Sequence, residues 1–246
     1  MKTDIASIQT LKKSDRVIVA LDTSSLSLAE KLLKELKGTI KFYKIGFELF
    51  TAYGWQTVDL VRKFGGRIFL DLKLHDIPNT VAKTAAVICE HEIEMFNLHA
   101  LGGLDMMKLV RSTVDERAKS EKKKPLVLGV TILTSHTQEN LSKELFISKP
   151  LAEEVVHLAG LAKKAGMSGV VCSPQEIALI RKDLGKDFLI VTPGIRSAKD
   201  EKGDQKRTFA AKDAFDAGAD YIVIGRPITA AEKPGKEAEA ILKTLD

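Results

Sequence analysis

The 246-residue chain is poor in several features, and each shortage removes a class of function. It has two cysteines, Cys89 and Cys172, far apart and in no CxxC or other metal-ligand spacing. They exclude a zinc module or a disulfide framework and read as small buried hydrophobes of a reducing compartment. No apolar run approaches the roughly 20 residues that a membrane-spanning helix needs. The opening MKTDIASIQTLKKSDR has no apolar stretch of the secretory-signal kind. The expectation is therefore a cytoplasmic protein with no membrane partner. Aromatics make up only 6% of residues, against a net charge of +5 and a pI near 9.0. A nucleic-acid tract would be denser in basic residues and interleaved with aromatics, so the excess lysine, Lys122 to Lys124 included, reads as solvated helix surface. No nucleic-acid partner is expected, while attraction for a small anionic substrate is compatible with the charge. GxGxxG, P-loop, HExxH and GxSxG patterns are all absent. His91 beside Glu92 and Glu94, and the isolated His136 and His157, have no ligand spacing, so no metal site is expected.

What is present is an alternation. Short β-favouring runs recur, most followed by a helical pattern. The runs are Val17 to Leu21, Ile40 to Ile45, one opening at Arg67, Met95 to His99, Leu126 to Leu133, Gly169 to Cys172, Phe188 to Thr192 and Tyr221 to Ile224. Helices are expected over Leu26 to Leu36, Gln56 to Phe64, from Val81 through Ile88, from Gly102-Gly103 through Val110, over Leu151 to Ala165 and Thr208 to Ala217, and up to Leu242. A chain of this length fits one domain, and eight such units predict a single-domain α/β fold, a (β/α)8 TIM barrel over residues 1–246. A doubly wound sheet is the alternative, disfavoured by the missing glycine fingerprint.

One stretch stands out, Phe69 to Thr80, FLDLKLHDIPNT. It opens as a strand after Gly65-Gly66, yet Asp71 and Lys73, two apart, share a face, while Leu70, Leu72 and Leu74 share the other. If the leucines meet the covering helices, the charges point into the barrel, where each is costly unless paired. Asp76 follows, then Pro78 ends the ladder, and Asn79 or Thr80 is placed to cap a helix. His75 falls opposite Lys73 only if the strand continues that far. A structural ion pair is the plain reading of an isolated Asp-x-Lys; the whole string at a strand-to-helix junction points to a catalytic site.

Barrel active sites gather at the C-terminal strand ends. Standing there are Asp22, Lys44, Asp71 with Lys73, His99, Thr134, Cys172 or Ser173, Arg196, and Gly225 with Arg226. Lys44, Asp71, Lys73 and Asp76 are able to form a neutral array, in which Lys73 stays protonated and able to donate. Pro193-Gly194-Ile195-Arg196 and Gly225-Arg226-Pro227 follow the last two strands, where barrels often bind phosphate and arginine supplies a two-pronged partner. Tight turns and solvated arginines are the plainer reading. The polar Ser197 to Arg207 between them is either a surface loop or a lid carrying Gln205.

These motifs together resemble the orotidine 5′-phosphate decarboxylase family across essentially the whole chain. The resemblance is carried by V-A-L-D at Val19 to Asp22, Y-K-I-G at Tyr43 to Gly46 and D-L-K-L-H-D-I-P-N-T at Asp71 to Thr80. It continues in L-T-S at Leu133 to Ser135, V-T-P-G-I-R at Val191 to Arg196, G-D-Q-K-R at Gly203 to Arg207 and I-G-R-P-I at Ile224 to Ile228. It implies a cofactor-free carboxy-lyase of de novo pyrimidine biosynthesis that turns orotidine 5′-phosphate into UMP and carbon dioxide. No fused phosphoribosyltransferase domain is seen, so the monofunctional bacterial type is the one resembled. Lys73 would donate the proton to pyrimidine carbon 6, and Asp71 would lie against the leaving carboxylate and hold Lys73. Lys44 would contact the ribose side, Asp22 the ribose, and Thr134 the pyrimidine edge. Arg196, Gln205, Gly225 and Arg226 would grip the phosphate, and Pro193 would be a further substrate-binding residue. Asp76, Ile77 and Thr80 would reach the neighbouring site of a homodimer. A related barrel acting on keto-sugar phosphates with magnesium needs a carboxylate where Lys44 stands, and a cation there would repel the metal.

Overall fold

A computed structural model describes residues 8–118, 124–195 and 209–245. Its eight strands are Val17–Ala20 (β1), Phe42–Gly46 (β2), Arg67–Leu74 (β3), Met95–His99 (β4), Leu126–Val130 (β5), Gly169–Val171 (β6), Leu189–Thr192 (β7) and Tyr221–Ile224 (β8). All pair in parallel in chain order, and β8 returns to β1, so the sheet closes. This is the (β/α)8 barrel that the alternation predicts. Closure leaves no edge strand and buries both faces of the sheet.

The helices are Leu26–Leu36 (α1), Phe47–Tyr53 (α2), Gln56–Lys63 (α3), Pro78–Glu90 (α4), Gly103–Arg117 (α5), Gln138–Lys143 (α6), Leu151–Lys164 (α7), Ile177–Leu184 (α8), Ala211–Asp216 (α9), Arg226–Thr229 (α10) and Pro234–Lys243 (α11). α1 shows the local logic: Ser25 Oγ accepts from the Leu28 N–H, and Ala29, Leu32, Leu33 and Leu36 fall on one buried stripe. α4 starts earlier than the sequence suggests. Pro78 is its first residue and Ile77 its N-cap, with no side-chain capping bond, so neither Asn79 nor Thr80 is the cap. Proline's fixed φ and missing N–H suit a first helical position. α2 and α6 are too short to announce themselves by periodicity. β5 ends at Val130, and the chain beyond it, Ile132 to Ser135, lines a cavity instead of extending the ladder.

Two apolar clusters divide the core. The larger lies between strands and helices and takes in Leu70, with Leu72 and Leu74 packed against it. The smaller includes Ile18, Ala20, Phe42, Phe69, Met95, Leu128, Val191 and Val223, alternate strand positions that point inside the barrel. On three strands the inward rows turn polar two residues further along: Phe42 is followed by Lys44, Phe69 by Asp71 and Met95 by Asn97. All three are buried.

β3 does not follow a regular pleat. Leu70 pairs with Phe96 and Leu74 with Leu98, so Asp71, Leu72 and Lys73 together face Asn97 alone. Lys73 takes φ +44, a left-handed conformation uncommon outside glycine. The leucines still meet the outer core and the charges still meet each other. A bulge delivers that outcome where simple alternation was expected.

Candidate active site

The cavity at the C-terminal ends of the strands has a volume of about 480 Å³. Asp22, Lys44, Asp71 and Lys73 line one side, Leu133 to Ser135 come from the chain after β5, and Pro193, Gly194, Gly225 and Arg226 lie beyond the ends of β7 and β8. The depth of Lys44 and Asp71 follows from the inward rows, which place each of them one step above a buried phenylalanine.

The charges form a chain of alternating sign. Lys44 Nζ lies 2.7 Å from Asp22 Oδ1 and 3.2 Å from Asp71 Oδ2. Lys73 Nζ lies 2.7 Å from Asp71 Oδ1. Burial alone would raise the Asp71 pKa, yet Lys44 and Lys73, with hydrogen bonds from Lys73 and Asn97, bring it down to about 2. Asp71 is thus a carboxylate throughout the neutral range. Burial likewise works against the Lys44 ammonium, and Asp71 and Asp22 outweigh it, so its pKa is raised. Two lysines bracketing one carboxylate make the buried charges mutually satisfied, the condition under which burial is tolerable.

Neutral groups complete the arrangement. Asn97, only 1% exposed, donates from Nδ2 to Asp71 Oδ1 at 2.7 Å and accepts the Lys73 N–H on Oδ1 at 2.8 Å. The sequence reading passes over it, although Asn in the inward row Met95–Asn97–His99 of a strand is itself a signal. Gly46 leaves room beside Lys44: an added Cβ would stand 2.9 Å from Lys44 Nζ and 3.0 Å from Asp22 Oδ1, so both side-chain ends would have to shift. His99 is held neutral, its pKa lowered to about 4 by burial first and then by His75, Lys73 and His136. Its Nδ1 is buried and has no hydrogen-bond partner among the described residues. His75 lies beyond the end of β3, its ring 5.3 Å from that of His99.

Within one chain the array differs from the expected one in a single member. Asp22 takes part, and Asp76 does not; its carboxylate accepts the Ile77 N–H at 2.6 Å. Asp76, Ile77 and Thr80 are exposed and are not among the residues lining their own chain's cavity. Thr134 lines the cavity, as do Pro193 and Gly194, whose φ is +80, and Gly225, the N-cap of α10. Arg226 opens α10 at the cavity wall. Arg196, Gln205 and the whole of Ser197 to Arg207 lie outside the described residues. Among the described residues, no group of three or more His, Cys, Asp or Glu is placed to hold a metal ion, and no helix is long and apolar enough to cross a membrane.

Comparison with known proteins points to one family. The sequence model of the "Orotidine 5′-phosphate decarboxylase / HUMPS family" matches residues 15–241. The protein named orotidine 5′-phosphate decarboxylase from Geotalea daltonii is 48% identical over 94% of this chain and 95% of its own length. The protein of that name from Geotalea uraniireducens is 49% identical over 94% of this chain and 95% of its length. The crystal structure of orotidine 5′-phosphate decarboxylase from Lactobacillus acidophilus superposes with a TM-score of 0.83 at 38% identity, covering 94% of this chain and 99% of that one.

Proposed function

The chain belongs to the orotidine 5′-phosphate decarboxylase / HUMPS family, and from that premise we propose that it is a single-domain orotidine 5′-phosphate decarboxylase of de novo pyrimidine biosynthesis. The observation that carries the reading is the alternating chain Asp22–Lys44–Asp71–Lys73 at the barrel mouth. In the proposed reaction the bond between pyrimidine carbon 6 and its carboxylate breaks, carbon dioxide leaves, and the electron pair remains on carbon 6. The Lys73 ammonium stabilises that carbanion as it forms and then donates a proton to it, giving UMP; the neutral amine regains a proton from solvent. A fixed cation beside a charge that exists only along the reaction path favours the transition state over the ground state.

Asp71 orients Lys73 and lies beside the departing carboxylate, while Lys44 and Asp22 meet the ribose. Thr134 contacts the pyrimidine edge, and Pro193, Gly225 and Arg226, together with Arg196 and Gln205, take the phosphate. Support for the phosphate end comes from glycine-bearing backbone at the ends of β7 and β8, a frequent phosphate site in barrels. We read the enzyme as a cytoplasmic homodimer in which Asp76, Ile77 and Thr80 complete the partner's site. Their exposure, 67% for Ile77, supports that reading, as do the two free cysteines for a reducing compartment. The reaction is read as needing no metal or organic cofactor; in support, Asp71 is already neutralised by two ammonium groups and is a poor ligand for a cation, and Lys73 is placed to stabilise the carbanion.

The test is to incubate chelator-treated protein with orotidine 5′-phosphate and follow loss of the orotate-ring absorbance. Conversion to UMP without added metal is expected. Conversion only after magnesium is restored would overturn the cofactor-free mechanism, and UMP binding without conversion would make the barrel a nucleotide-binding protein instead of an enzyme.

A further inference from the structure

The bulge in β3 leaves an unpaired donor to be accounted for at its centre. Three residues of β3 oppose one residue of β4, so the Lys73 N–H has no backbone carbonyl across the ladder. Its acceptor is Asn97 Oδ1. The same side chain's Nδ2 donates to Asp71 Oδ1, which also accepts from Lys73 Nζ. One amide therefore holds the backbone of the proposed proton donor and the carboxylate that orients its ammonium.

We infer that Asn97 is the positioning residue of this site, fixing Lys73 in its left-handed conformation and locking the Asp71 carboxylate against rotation. The inference rests on the proposed decarboxylation for its kinetic meaning. Chemistry narrows the choice of side chain at this position. The group must accept from an N–H and donate to a carboxylate at once, in a space that is 1% exposed. An amide has both functions; leucine of similar size has neither. An ionised aspartate would accept from Lys73 but repel Asp71, whereas a protonated aspartate again has one acceptor and one donor oxygen. With Asn97 removed, Asp71 keeps Lys44 and Lys73 as partners but loses the bond that fixes its plane, and the Lys73 N–H loses its acceptor.

Two variants separate positioning from mere packing. Asn97→Leu is expected to lower kcat by about 100-fold, the scale of a misplaced reacting group, while KM for orotidine 5′-phosphate changes little. Asn97→Asp is expected to retain activity while the introduced carboxyl is protonated. It should lose kcat as pH rises through the titration of that carboxyl, which is coupled to Asp71. The wild type is expected to keep its kcat over that range. The introduced carboxyl meets Asp71 and Lys73 of β3 directly, and through Asp71 it is linked to Lys44 of β2; His99, two residues further along β4, interacts with both Asp71 and Lys73, so the carboxyl titrates as a unit with these groups. Amide hydrogen exchange at Lys73, read by NMR, is expected to accelerate in Asn97→Leu relative to its strand neighbours. A kcat within about 3-fold of wild type in Asn97→Leu, or an Asn97→Asp profile parallel to wild type, overturns the inference. If Asn97→Leu does not fold, the Asn97→Asp profile decides. If the wild type itself fails to decarboxylate, the proposed function falls, and Lys73 exchange alone decides whether Asn97 holds that backbone: unchanged protection rejects it.

Discussion

A methyl group at position 46 would press on both ends of the Lys44–Asp22 ion pair. Gly46→Ala is thus expected to fold but to bind UMP about 10-fold more weakly, on the order of 1.4 kcal/mol, which calorimetric titration reads directly. His99 supplies a second test at this scale. Its folded-state pKa, about 4, lies below the ordinary value of 6.5, so the fold favours the neutral ring. Between those values the unfolded chain binds a proton that the folded one does not, and stability must fall as pH drops from 6.5 toward 4. Its contribution is fully present above pH 6.5. His99→Gln should flatten that part of the profile by on the order of 2 kcal/mol, after allowance for solvent screening of a partly exposed ring. Urea unfolding across the window measures it. The site's charged members were legible in the sequence because Asp and Lys are conspicuous in a strand. Their pairing was not, because which carboxylate reaches Lys44 depends on the register between β1 and β2, to which local periodicity is blind. Asn97 escaped for a related reason: an uncharged amide draws no attention until the bulge opposite it is seen.

The elements carry stability at the other end of the barrel. Arg181, in the last turn of α8, donates from Nε to the Gly218 carbonyl at 2.9 Å and from a terminal nitrogen to the Phe188 carbonyl at 2.6 Å. It also pairs with Asp220, which accepts the Ile190 N–H at 2.8 Å. One buried ion pair thereby joins α8, β7 and the residue entering β8. Asp220→Ala is expected to destabilise the fold by about 1–3 kcal/mol, because it strips the buried Ile190 N–H of its acceptor and leaves Arg181 with backbone carbonyls alone. At temperatures where the variant is folded, kcat should be unchanged, since no part of this cluster lines the cavity. Urea melts beside steady-state rates check both halves of that expectation. The eight strands were readable as apolar runs bounded by turn residues, in positions close to those observed. α2 was not, because its seven residues between Gly46 and Gly54 give too little length for a period of 3.6 to emerge.

At the scale of the whole molecule, the proposed homodimer distributes one site over two chains. If Asp76 serves the partner's cavity, Lys73→Ala and Asp76→Ala should each be inactive alone. Unfolding and refolding the two together should restore activity, up to about one quarter of wild type, because half of the molecules are mixed dimers and each has one site with neither substitution. A mixture that stays inactive, with mixed dimers shown to form, would return Asp76 to a role within its own chain.

The bulge in β3 has one more consequence, which concerns counting. Asp71 and Lys73 reach the cavity because three residues span the space allotted to one on β4. Their placement is stored as a length as well as a composition. Exchanging Leu72 for another hydrophobe preserves that length, whereas deleting it shifts everything downstream by one step and turns the ammonium toward the wrong face. Descendants of this sequence would then be free to drift in spelling along β3 while insertions and deletions there are purged. The lysine proposed as proton donor is inherited as a ruler setting.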